Sequence, residues 1–92
     1  MDAKKILESA IEELNDLRDD TEQIPEAFTG ALLGPHGVLD SLGTATLILG
    51  IESKVQENLG RSIDIASILL QEDMLSIDYS AADLLKLINE QL

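Results

Sequence analysis

Hydrophobic residues near the N-terminus recur at three- and four-residue steps: Ile6, Leu7, Ala10, Ile11, Leu14 and Leu17. Glu8, Glu12, Glu13 and Asp16 fill the other face, giving the period of an amphipathic helix. Asp2 is placed to cap its start and suits the positive end of the helix dipole. Asp19 and Asp20 are unfavourable in a last turn, so the helix is expected to end near Arg18, followed by a polar loop through Pro25 to about Ala27. A second period opens at Asp40-Ser41. Leu47, Ile51, Val55 and Leu59 repeat at four-residue intervals, Ala45 and Ile48 join them, and Gly60 supplies the stop. Near the C-terminus, Leu84, Leu85, Ile88 and Leu92 form a third buried stripe. It is introduced by Ser80-Ala81-Ala82-Asp83, a capping box with Asp where Glu is usual.

The segments between these helices are less periodic. Gly30-Ala31-Leu32-Leu33-Gly34-Pro35-His36-Gly37 has too much Gly and Pro for a helix. It is expected to be an ordered loop, pinned to the core by Leu32, Leu33, Val38 and Leu39. Ser62-Ile63-Asp64-Ile65 alternates briefly, as an extended connector would. Ala66 to Leu75 has the pattern of a short helix burying Ile68, Leu69 and Leu75. Tyr79 and Phe28 are the only aromatics, so the core must be built from Leu, Ile, Val and Ala, which favours packed helices over a sheet. The expected fold is all-α: a small four-helix bundle of three main helices and one short one, a single domain over residues 1–92.

Composition narrows the functional classes. With no Cys, disulfides, thiolate metal sites and a Cys nucleophile are excluded. No run of about eighteen apolar residues is present, so no membrane span is expected. Met1-Asp2-Ala3-Lys4-Lys5 leads into an amphipathic stretch and not a signal-peptide core, so a soluble, cytoplasmic, monomeric protein is expected. Eighteen carboxylates against six Lys and Arg give a net charge of −12. Phosphate binding requires clustered cations, so nucleic acid is an unsuitable partner, and anionic lipid surfaces are disfavoured for the same reason. Basic patches on other proteins are the natural complement, attracting the chain mainly through association rate.

From Ala27 through Ile51 the only formal charge is Asp40, between flanks dense with carboxylates. Within this stretch a Gly- and Pro-rich loop delivers the Ser41 hydroxyl to the first turn of a long helix. Free backbone N–H groups and the dipole there favour an anion by about 0.3–1 kcal/mol. Gly43, Thr44 and Thr46 keep the neighbouring surface small and uncharged. A nucleophilic reading of Ser41, with His36 as base and Asp40 as orienter, lacks the Gly-x-Ser-x-Gly elbow, and a lone loop His is expected to be exposed and inert. Asp16, Asp19, Asp20 and Glu22 cluster without the central glycine and spacing of an EF-hand, so no metal site is expected.

The run Gly37-Val38-Leu39-Asp40-Ser41-Leu42 resembles the phosphopantetheine attachment motif of acyl and peptidyl carrier proteins. The order of elements is similar over nearly the whole chain: an acidic first helix, a long loop, Asp-Ser-Leu opening the second helix, then short and final helices. Leu33-Gly34-Pro35, Leu47-Ile48 and Ile51-Glu52 are similar to a subgroup of stand-alone carriers. The resemblance implies that a phosphopantetheinyl transferase modifies Ser41 from coenzyme A, with Asp40 assisting recognition near the transferase's magnesium ion and Leu42 completing the motif. The 4′-phosphopantetheine arm would carry an acyl or aminoacyl thioester to loading and processing enzymes with basic docking patches, and the chain itself would not be an enzyme. One departure from the family pattern is that the second helix has only Glu52 and Glu57, offset by Lys54, and an uncharged first half. This points away from housekeeping lipid synthesis and toward a specialised pathway. If short chains are sheltered, Leu47, Ile48, Ile51 and the Met74-Leu75 region are the expected lining. The alternative class is a small acidic helical interaction module without a prosthetic group. The carrier reading requires the Ser41 hydroxyl to be open to solvent.

Overall fold

The computed structural model describes residues 2–25, 28–71 and 77–92, apart from the side chains of residues 70 and 71. The first helix, α1 (Ala3–Asp16), starts where Asp2 accepts the Lys5 N–H at 2.9 Å and turns Ile6, Leu7, Ala10 and Leu14 inward. Ile11 is half-buried at the edge of that stripe. Leu17, expected in the same stripe, is instead the C-cap and is 77% exposed. Once the helix ends, the 3.6-residue period no longer governs where a side chain points.

The polar loop that follows is held by side-chain bonds of Asn15, Arg18 and Gln23. Asn15 donates through Nδ2 to the Ile24 carbonyl at 2.9 Å and accepts the Ile24 N–H through Oδ1 at 2.8 Å. This bracket spans a single 3₁₀ turn, Asp20–Glu22, and seats Ile24 in the core.

The expected all-α fold needs one correction, because the loop ahead of the second long helix contains a strand. β1 (Ala31–Leu33) pairs antiparallel with β2 (Tyr79–Ser80), Ala31 opposite Ser80 and Leu33 opposite Tyr79, with an irregularity between the two pairs. Leu32 and Leu33 are fully buried, and they draw backbone polar groups inward that must find partners. The chain supplies these from two sides. β2 serves one edge, and the returning chain serves the other, with Val38 N–H bonded to Ala31 O (3.2 Å) and Leu39 N–H to Leu32 O (3.0 Å). The return buries Leu39 but leaves Val38, expected as an anchor, 47% exposed. Adjacent side chains of extended chain point to opposite sides, and here only the side that Leu39 faces is covered by the core.

The second long helix, α2, spans Ser41–Leu59 and is about 28 Å long. It buries Leu47, Ile48, Ile51 and Val55 along one side and stops at Gly60, whose left-handed backbone (φ +64°) lets its N–H close on Gln56 O at 3.1 Å. The short helix α3 (Ile65–Gln71) begins a residue earlier than expected, with Ile65 and Leu69 buried and Ile68 only half-buried. Its expected continuation to Leu75, and the burial of Leu75, lie outside the described residues.

Two carboxylates hold the start of α3. Glu52, reaching across from α2, accepts the Ile65 N–H at 3.0 Å, and Asp64 accepts the Ser67 N–H (3.0 Å) and hydroxyl (2.7 Å). The last helix, α4 (Ala81–Gln91), opens with the full capping box, Ser80 and Asp83 each bonding the other's backbone. Of its stripe, Leu84 and Ile88 are buried, and Leu85 and Leu92 half-buried.

Among the described residues the architecture is therefore four helices with a small two-stranded sheet. α1 packs on α2 and α4, and the buried residues of β1 join theirs in one apolar cluster. Lys54 on α2 reaches Glu13 on α1 at 2.7 Å, a bond laid over the packed pair.

Ile51→Ala, at a fully buried position, is expected to lower stability by about 2–5 kcal/mol. Leu17→Ala is expected to change it by no more than about 0.5 kcal/mol. Urea unfolding of the two variants beside the parent checks both.

Candidate functional site

The site begins with the cap of α2. Asp40 takes extended backbone angles and its Oδ1 accepts the Gly43 N–H at 2.7 Å, while the Thr44 N–H starts the helical ladder on the Asp40 carbonyl at 2.8 Å. Ser41 is thereby the first residue of the helix. It is exposed, and among the described residues its hydroxyl has no hydrogen-bond partner. The residue that the carrier reading needs open to solvent is thus at the surface. Leu42 follows at 76% exposure, so the three motif residues stand together at the surface in distinct states: a committed carboxylate, a free hydroxyl and an exposed apolar side chain.

Beside Ser41 lies a cavity of about 430 Å³. One wall is α2 itself, through Ser41, Thr44, Ala45, Ile48 and Leu49, residues that share a helix face by their three- and four-residue spacing. Leu33, Gly34 and Pro35 from the loop form a second wall, and Ala66 of α3 contributes to a third. The polar lining groups, Asp40, Ser41 and Thr44, are gathered at the helix N-terminus, and the rest is aliphatic or backbone. Of the lining expected from sequence, Ile48 is present. Leu47 and Ile51 are buried in the core and do not line the cavity. Met74 and Leu75 lie outside the described residues.

Gly34 determines how the loop wall sits. Its backbone is left-handed (φ +99°), and a Cβ there would collide with the Ile77 carbonyl oxygen and come within 2.7 Å of the Asp78 Cα. Only glycine fits both constraints. Two residues on, the Asp78 carboxylate grips His36 twice, accepting its N–H on Oδ1 at 3.0 Å and meeting its ring Nδ1 through Oδ2 at 2.9 Å. His36 is exposed, as expected, but its ring is engaged. With the imidazole turned to Asp78 and the Asp40 carboxylate turned to Gly43, the geometry does not link His36, Asp40 and Ser41 into one chain of hydrogen bonds. Among the described residues no three carboxylate or imidazole groups converge in a way that would hold a metal ion.

Two contributors were not visible in the sequence. Asp78 is forty-two residues from the His36 it holds, and no local pattern marks the pair. Arg18 is the other. Its Nε donates to the Glu22 carbonyl at 2.8 Å, and its Nη1 would stand 3.3 Å from a Cβ added at Gly43, so the missing side chain at Gly43 admits a cation beside the first turn of α2. A clue was available for Arg18 alone, as the one cation between Lys5 and Lys54.

The charged residues of α2 are largely occupied within the protein. Glu52 caps α3 and Lys54 pairs with Glu13, which leaves Glu57 exposed in the last turn. The outward face near Ser41 is Leu42, Ala45 and Leu49, the last 63% exposed. Among known proteins the chain matches no family model, no curated sequence and no solved structure.

Asp40→Ala removes the side-chain cap and is expected to cost about 1 kcal/mol, whereas Ser41→Ala is expected to leave the melting temperature within about a degree of the parent, as exposed substitutions do. Thermal melts of the two variants compare them. A second expectation concerns acid. The His36 N–H, and then its ring, hold the Asp78 carboxyl below the usual carboxylate range, and the Ser67 hydroxyl and N–H do the same to Asp64. Both carboxyls bind protons less readily folded than unfolded, so their contribution is complete above the ordinary value of 3.8 and is lost as pH falls through the lower folded values. Carboxyl carbon chemical shifts followed through an acid titration should place both midpoints below 3.8.

Proposed function

We propose that this chain is a non-catalytic carrier protein of the acyl-carrier type, with Ser41 as the attachment point of a 4′-phosphopantetheine arm. The observation that carries the proposal is the pairing of an exposed, unbonded hydroxyl at the first residue of α2 with an apolar cavity opening beside it. A transferase needs the oxygen free, and a phosphodiester formed there lies where unpaired helix N–H groups and the dipole favour negative charge. When bound, the arm supplies a thiol that holds cargo as a thioester. The protein's own residues would do the rest. Asp40 fixes the turn that presents Ser41, Leu42 offers an apolar contact next to it, and Ala45, Ile48 and Leu49 line a path along the helix for an aliphatic group.

In this reading the partners are a phosphopantetheinyl transferase followed by loading and processing enzymes. The chain's −12 charge supports basic surroundings on those partners. The contact surface next to Ser41 is neutral, however, so docking there would rest on apolar burial while the acidic remainder steers the encounter. A cytoplasmic, monomeric protein in a specialised acyl pathway is the setting we favour. No described helix is long and apolar enough to cross a membrane.

Incubation with a broad-specificity transferase, magnesium and coenzyme A should raise the intact mass by one phosphopantetheine, and Ser41→Ala should abolish the gain. Several competent transferases failing on the folded chain would overturn the proposal in favour of an interaction module without a prosthetic group.

A further inference from the structure

The cavity beside Ser41 has one wall that is not helical. Leu33, Gly34 and Pro35 form it, and a turn closed by Gly37 N–H on Gly34 O (3.0 Å) follows directly. A short loop with one proline does not hold such a wall by its own stiffness. Leu33 is anchored by burial and by pairing with Tyr79, but beyond Leu33 the strand ends. From there the chain touches the segment ahead of α4 at two points. Gly34 packs against Ile77 and Asp78 without room for a side chain, and Asp78 holds His36 through backbone and ring together.

These contacts differ in kind. The Gly34 approach only brings two backbones close, whereas the Asp78 carboxylate supplies directional bonds, one of them to a main-chain N–H. Two bonds to one planar carboxylate fix both the distance and the orientation of the turn. We infer that Asp78 is a positioning residue for the cavity: by gripping His36 it holds the Leu33–Pro35 wall in place and so sets how large an apolar group the space beside Ser41 admits. That this group is cargo tethered at Ser41 rests on the carrier reading, but the mechanical role of Asp78 does not.

The backbone bond has the larger part in this role. The ring contact is exposed to solvent and can be replaced by water, while the His36 N–H bond fixes the main chain one residue from Pro35. Asn at position 78 retains an oxygen that can accept this N–H, and Ala does not.

Xenon is a suitable probe, since apolar cavities take it up without any polar anchor. In the unmodified parent, xenon pressure is expected to shift the amide resonances of Ala45, Ile48 and Ala66. Asp78→Ala should reduce those shifts at least threefold, and Asp78→Asn should restore most of the parent response. Parent-like shifts in a folded Asp78→Ala protein, or an Asn variant as defective as the Ala variant, would overturn the inference. If Asp78→Ala does not fold, the parent alone decides the matter. Coupling is reciprocal, so filling the cavity must slow hydrogen exchange at the His36 amide, and unchanged exchange under saturating xenon rejects the coupling. None of these measurements needs Ser41 modified, so they succeed or fail independently of the mass-gain experiment.

Discussion

Burying Leu32 and Leu33 obliges the backbone around them to find hydrogen-bond partners away from water, and much of the site follows from that obligation. Each leucine contributes roughly 1.5–3 kcal/mol when fully buried, enough to draw a non-helical segment into a helical core, but the same burial strands polar main-chain groups. The strand pairing with Tyr79–Ser80 and the return of residues 38 and 39 onto 31 and 32 provide the partners. The return in turn places Leu39 inward and Asp40 at the surface, where it caps α2 and leaves Ser41 at the first position of the helix. An exposed serine at a fixed place is thus a consequence of two buried leucines eight and nine residues before it.

The helices were legible in the sequence because each carries its own evidence. Asp2 and Ser80 cap as their positions suggest, α2 starts at the expected Asp40-Ser41 with Asp40 as its cap, Gly60 stops α2 where expected, and the apolar period identifies the inward faces. Local pattern failed where position depended on contacts distant in sequence. The β1–β2 ladder joins segments far apart in the sequence, each too short to show an alternation of its own. Val38 looks like an anchor by its apolar character and Leu17 by its place in the helical period, but one follows a strand and the other sits at a helix end, and both are exposed. At the site, Asp40, Ser41 and Leu42 could be picked out because they are contiguous. The placing of the loop against α2, and the parts played by Arg18 and Asp78, could not, since each depends on a three-dimensional approach that no spacing rule encodes.

Charge is unevenly used. The chain carries three acids for every base, yet the surface beside Ser41 is built from Leu42, Ala45 and Leu49, and two of the three charged residues of α2 are occupied by internal bonds. Long-range attraction and short-range contact are therefore assigned to different parts of the molecule. Attraction acts over roughly 8–10 Å at physiological ionic strength and orients an approach. Contact at the neutral face requires water to be displaced from apolar side chains.

The bond from Glu52 to the Ile65 N–H gives α3 a particular mechanical dependence. A seven-residue helix is too short to stand by itself in water, and part of its first turn is completed by a carboxylate that belongs to another helix. Rolling α2 about its long axis would drag that carboxylate sideways, and α3 would either follow like a linked lever or lose the partner of its leading amide. Ala66, one residue beyond that amide, would move with it, so torque applied at the serine-bearing helix is transmitted to the far side of the apolar chamber.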